Sequence, residues 1–194
     1  MPTCSEARSS LLSLLRGAEH FNTEVFPAKE ALFASLAKGQ SPGALFIACA
    51  DSRIDPNLIT QTEPGSLFIL RNIGNLVPAY GEMLGGVSSA IEYAVMALGV
   101  STIIVCGHSD CGAMKALLDP EKSGLDTMPT VKSWLRNAEA ARAATLNTFR
   151  SDDVGPATVR CIAEQNVLLQ LAHLGTHPAV AAGLAGRTLF LQGW

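Results

Sequence analysis

Residues 44–56 read ALFIACADSRIDP. ALFIAC is a short unbroken apolar run behind Pro42-Gly43, the pattern of a strand buried on both faces in a parallel sheet. It gives way at once to Asp51, Ser52 and Arg53. Asp55-Pro56 then supplies an N-cap followed by proline at the first helical position. Three further stretches repeat the strand pattern: SLFIL at 66–70, TIIVC at 102–106 and TLFL at 188–191. Helical patterns lie between them. Val87, Ile91, Ala94, Val95 and Leu98 share an apolar face entered through Gly85-Gly86. Met114, Leu117 and Leu118 follow Cys111 until Pro120, and residues 159–171 form another helix. Strands alternating with helices predict an α/β fold with a mostly parallel central sheet of at least four strands flanked by helices.

The first forty residues read differently. Leu11, Leu12, Leu14 and Leu15 make a short apolar patch, and Pro27 opens a second helical segment carrying Leu32, Phe33 and Leu36. Residues 1–40 are therefore expected to form a helical arm that packs on something other than its own core. Residues 41–194 are expected to form the single α/β domain. The last strand runs straight to Trp194, which suggests a chain that continues beyond it.

Composition narrows the function. With 194 residues, 48% hydrophobic and 16% charged, the chain suits one well-buried domain and no disordered class. A net charge of −3 without a dense Lys/Arg stripe argues against nucleic acid as a partner. The apolar runs are too short to span a bilayer, and MPTCSEARSS lacks the features of a secretory signal, so no membrane partner and a cytoplasmic location are expected. The five cysteines, Cys4, Cys49, Cys106, Cys111 and Cys161, are odd in number, which speaks against a disulfide framework. In a reducing compartment each is a buried apolar residue, a metal ligand or a nucleophile.

Chemistry in an open parallel sheet gathers beyond the C-terminal ends of the strands. Two segments emerge there: Cys49-Ala50-Asp51-Ser52-Arg53 and Gly107-His108-Ser109-Asp110-Cys111-Gly112. If their strands are neighbours, Cys49, His108 and Cys111 converge, a ligand set for a zinc ion with an open fourth position. A cysteine at the start of a helix is also favoured as thiolate. Cys106, two residues before His108, competes as a ligand. Spacing does not exclude it, although the run TIIV leads into it as the last packed residue of a strand. Asp51 and Arg53 are either an ordinary loop ion pair or a carboxylate beside the metal held by its guanidinium. Asp55 is explained by its cap, and Asp110 receives no catalytic role.

CADSR at 49–53 followed by HSDC at 108–111 resembles the β-class carbonic anhydrases. The resemblance extends through EPGSLFILRNIGN at 63–75, GGVSSAIEYAVMALGV at 85–100 and LFLQGW at 189–194. It implies one zinc ion per chain on Cys49, His108 and Cys111, with Asp51 and Arg53 as a catalytic dyad. It implies reversible hydration of carbon dioxide to bicarbonate, and a homodimer or higher homo-oligomer whose sites are lined by both subunits. By motif position, Gln40, Phe68, Ile73, Tyr93 and Gly112 would line the substrate pocket, although core packing explains Phe68, Ile73 and Tyr93 equally well from sequence. Phe46 stands where some members carry a tryptophan of a bicarbonate effector site, so Arg71 is not expected to serve one and an open, permanently competent site is expected.

Two other functions fit the same motifs. One is hydrolysis of carbon disulfide or carbonyl sulfide on the same fold. The other is a catalytically silent, zinc-stabilised module for a larger assembly such as a bacterial microcompartment (a carboxysome, for example). A pure scaffold, however, has no need of an Asp–Arg pair beside an open metal position.

Overall fold

The computed structural model describes residues 3–82, 84–149 and 154–194. They divide into two compact units, residues 1–40 and 41–194. In the first, α1 (Cys4–His20) begins with a capping box. Thr3 Oγ1 accepts from the Glu6 N–H at 3.3 Å, and the Thr3 N–H donates to Glu6 Oε2 at 2.7 Å. No residue of α1 is buried. The chain stays helical through a wide turn at Phe21–Val25 and α2 (Phe26–Ala28), and breaks at Lys29 before α3 (Glu30–Leu36). Pro27 therefore does not open a new segment. The Phe26 N–H already reaches back five residues to the Phe21 carbonyl, so the missing N–H of Pro27 falls where the regular ladder is interrupted. The rings of Phe21, Phe26 and Phe33 cluster within 6.1 Å of one another, centre to centre.

The second unit is a four-stranded, all-parallel sheet in the order β2-β1-β3-β4, with β1 at Ala44–Cys49, β2 at Leu67–Asn72, β3 at Thr102–Cys106 and β4 at Phe190–Gly193. The connections are α4 (Pro56–Thr60), capped by Asp55 Oδ1 accepting from the Leu58 N–H at 2.9 Å, α5 (Gly86–Glu92) and α6 (Gly112–Leu118). Then follow α7 (Pro129–Leu135), α8 (Glu139–Thr148), α9 (Pro156–Leu174) and α10 (Pro178–Ala185). β4 starts two residues later than the run TLFL suggests, because the N–H groups of Thr188 and Leu189 both turn back to the Gly183 carbonyl at the end of α10. β2 runs two residues further than SLFIL, which keeps Arg71 and Asn72 in the ladder opposite Ala48 and Cys49.

Strand alternation sorts the core. Leu45, Ile47, Ile103 and Val105 face Ile91, Ala94, Val167, Leu174 and Val180, while Phe46, Ala48, Ile104 and Cys106 face the other way. A third cluster joins Met114, Leu117 and Leu118 to Leu135, Ala138, Ala141 and Ile162. α9 lies hard against the strand ends. A Cβ on Gly107 would come within 2.9 Å of Val167 Cγ2, and one on Gly193 within 2.7 Å of Val167 Cγ1. From β1 the chain moves to β2 on one side, then crosses back to β3 on the other. The C-terminal ends of β1 and β3 thus flank the point where the strand order reverses, the place where open α/β sheets bind ligands.

Candidate metal centre

Cys49 is the last paired residue of β1, His108 lies two residues past β3, and Cys111 is the N-cap of α6. Their ligand atoms all lie within 4.8 Å of one another, and both cysteines are buried. His108 Nδ1 donates to the Ser109 carbonyl at 2.8 Å, which leaves Nε2 with its lone pair free. That Nε2 is buried without a hydrogen-bond partner, an orphan that a cation would satisfy. The thiols fit the same reading. A hydrogen bond from the Cys111 thiol brings the Cys49 thiol down, while that bond and burial push the Cys111 thiol up. Backbone N–H groups of Met114 and Ala113 at the start of α6 oppose that rise at Cys111. Two soft sulfurs and one imidazole suit zinc.

Five residues that sequence alone did not place at the centre hold it from behind. Arg71 donates from Nε to the Cys49 carbonyl at 3.1 Å and from Nη2 to the Asp51 carbonyl at 2.7 Å, so it braces the β1 loop. The Gly74 N–H points at Cys49 Sγ from 3.4 Å. Gly74 is kept there by Asn166 Nδ2, donating to its carbonyl at 3.0 Å. Gln170 Nε2 in turn donates to Asn166 Oδ1 at 2.8 Å, and Gln170 Oε1 accepts from the Val77 N–H at 2.8 Å. Asp110 is the fifth, through Arg53. Asn166 and Gln170 are fully buried amides on α9, four residues apart and thus on one face.

Asp51 sits beside the cluster, with Oδ2 4.0 Å from His108 Nε2. Arg53 grips it three times: Nε to Oδ1 at 2.9 Å, Nη2 to Oδ2 at 2.7 Å, and its backbone N–H to Oδ1 at 3.0 Å. These bonds hold the Asp51 carboxyl well below the usual carboxylate range. Cys106 is not in the cluster. It is buried with Sγ donating to the Gly107 carbonyl at 3.3 Å, and burial raises its thiol.

The residues expected to line the pocket fall into three groups. Ile73 follows Asn72, the partner of Cys49, and lies at the metal end of the sheet; Gly112 directly follows Cys111. Phe68 is opposite Leu45, four residues before the end of β1, and its ring meets that of Tyr93 at 6.0 Å. At about 3.3 Å per residue Phe68 lies ~13 Å back along the strands from the metal end of its own chain, with Tyr93 beside it. Gln40 is exposed and closes the N-terminal unit.

The carbonic anhydrase family model matches residues 44–194. A carbonic anhydrase of Pseudomonas aeruginosa is 50% identical over 93% of this chain and 80% of its own length. One from Synechococcus elongatus is 45% identical over 93% of this chain and 66% of its own length, so the chain spans just under two thirds of that relative. Among solved structures, the β-carbonic anhydrase CcaA superimposes with a TM-score of 0.90 at 44% identity, covering 95% of this chain and 89% of that one. A tetrameric β-carbonic anhydrase of Sordaria macrospora gives 0.83 at 28% identity, covering 95% and 90%. By motif, fold and strand-end cluster together, this chain belongs to the β-class of the carbonic anhydrase family.

Proposed function

We propose that the chain catalyses reversible hydration of carbon dioxide to bicarbonate and a proton, with one zinc ion held by Cys49, His108 and Cys111. The observation that carries this is the convergence of two thiols and an unpartnered imidazole nitrogen, with an ionised carboxylate 4.0 Å from that nitrogen. When bound, zinc supplies the Lewis acidity that makes water nucleophilic near neutral pH. Asp51 accepts a hydrogen from the attacking water and so aims its lone pair at carbon. Arg53 keeps Asp51 ionised and turned toward the metal position, and it occupies both carboxylate oxygens, which favours Asp51 as an orienter over Asp51 as a ligand.

Ile73 and Gly112 serve the site of their own chain. Phe68 and Tyr93, set back along the strands, serve the site of a second copy, and Gln40 offers an amide to the substrate oxygen where charge develops. A homodimer is therefore part of the functional unit. The exposed Leu11, Leu14 and Leu15 of α1 support an arm that packs on a partner subunit.

The test combines three measurements on the purified protein: zinc per chain, stopped-flow hydration of carbon dioxide, and mass by analytical ultracentrifugation. Full zinc with hydration and a dimer or larger is expected. Full zinc without hydration would overturn the activity, and an active monomer would overturn the shared pocket.

A further inference from the structure

Arg53 is hydrogen-bonded to more than its dyad partner. On the side facing Asp51 it uses Nε and one Nη2 hydrogen. On the other side, Nη1 donates to Asp110 Oδ2 at 3.0 Å, and Nη2 donates to the Asp110 backbone carbonyl at 3.1 Å. Four of the five guanidinium donors are thus engaged, two by the loop after β1 and two by the loop after β3. Asp110 presents its carbonyl and its carboxylate together because its backbone is left-handed, with φ of 57°. Its remaining oxygen, Oδ1, pairs with the ammonium of Lys115 on α6. The result is a continuous line, Asp51–Arg53–Asp110–Lys115, tying together the two loops that meet at the metal centre.

We propose that Asp110, fixed by Lys115, is a positioning residue for the hydration reaction: it anchors the far side of the Arg53 guanidinium so that the near side holds Asp51 in its working orientation. This rests on the function proposed above. Without the Asp110 carboxylate, Nη1 loses its acceptor, the guanidinium is held on its far side only by the Asp110 backbone carbonyl, and the orientation of Asp51 loosens with it. Isolated exposed ion pairs contribute little, but a planar fork held on both edges is a case in which geometry is transmitted.

The left-handed backbone decides the choice of variant. Alanine would add strain of its own, so the side chain is removed as Asp110→Gly, with Asp110→Asn as the conservative replacement that keeps an acceptor oxygen and tolerates the same φ. In the zinc-loaded protein, Asp110→Gly is expected to lower kcat about threefold to tenfold with KM and zinc content unchanged. Asp110→Asn should recover most of that loss. In an Arg53→Ala background, Asp110→Gly should cost nothing further. A second readout is independent of turnover. NMR of the Arg53 side chain should show separate Nη signals slowed by the two-sided grip, assigned by their absence in Arg53→Ala and merged in Asp110→Gly. An equal loss from Asp110→Gly with and without Arg53 would overturn the proposal, as would Nη signals unchanged by that substitution. If the wild-type zinc protein hydrates no carbon dioxide, the proposed function fails, and the Nη signals still decide whether Asp110 anchors Arg53.

Discussion

The two loops that meet at the metal centre are built on opposite plans. After β1 the proposed ligand comes first: Cys49 is still in the ladder, opposite Asn72, and the free loop behind it carries Asp51 and Arg53. After β3 the strand closes on Cys106, which packs, and both ligands come from the loop itself. A ligand on a strand inherits its position from the sheet and needs only hydrogen bonds from behind, here from Arg71 and Gly74. Ligands on a loop need the backbone shaped for them. Gly107 lets α9 press against the strand end, its N–H continues the ladder to the Trp194 carbonyl at 3.0 Å, and Asp110 takes the left-handed turn that brings Cys111 to the head of α6.

The contrast can be broken most severely at the ligands. Cys49→Ser and Cys111→Ser should each empty the site and abolish hydration, because each removes one of only three protein ligands. Zinc per chain after dialysis checks this, and retention of the metal by either variant would mean that the ligand set is wrong. Next in size, Asp51→Ala should keep its zinc and lose about 10- to 100-fold in activity, the usual cost of removing a group that orients a metal site from outside the ligand set. Loss of zinc alongside activity would make Asp51 a ligand instead.

The loop after β3 is tested through stability. Gly107→Ala places a methyl 2.9 Å from Val167 Cγ2 and should cost about 1–3 kcal/mol by overpacking. Gly112→Ala, with nothing within 4 Å of the added methyl, should stay within about 0.5 kcal/mol. Thermal melts of the two variants side by side decide the point, and equal melting temperatures would remove the argument from α9 packing. The smallest effect is expected at Cys106→Ser, which should retain zinc and most of the activity. An empty site in that variant would move Cys106 from the core to the metal.

Much of the α/β unit is legible along the chain because a short unbroken apolar run is the signature of a strand, and four such runs are present, of which β1 and β3 are buried on both faces while the edge strands β2 and β4 are not. The polar residues that interrupt ALFIAC and TIIVC then mark where chemistry gathers. Helices α7 and α8 have no such signature. Their fully buried apolar residues are Leu135 on α7 and Ala141 on α8, with Ala138 in the turn between them, too sparse and small to show a periodic face. Asn166 and Gln170 are hidden for the converse reason, as two amides inside a long apolar helix whose purpose lies in a turn more than ninety residues away. Pro27 misleads because proline is a reliable stop only where a regular i to i−4 ladder precedes it.

From sequence alone, the strands and the residue types at their ends are determined, because burial and metal chemistry restrict which side chains can stand there. The order β2-β1-β3-β4 is a property of the folded chain. It makes the ends of β1 and β3 neighbours and gathers Cys49 with His108 and Cys111, far along the chain from it. The part played by Asp110 is also decided only in three dimensions. In the run HSDC it is a polar residue between two ligands, and what makes it matter is a left-handed turn and an arginine arriving from the other loop. Local patterns record what each residue is suited to, whereas long-range pairing, set by packing over the whole unit, decides which residues meet.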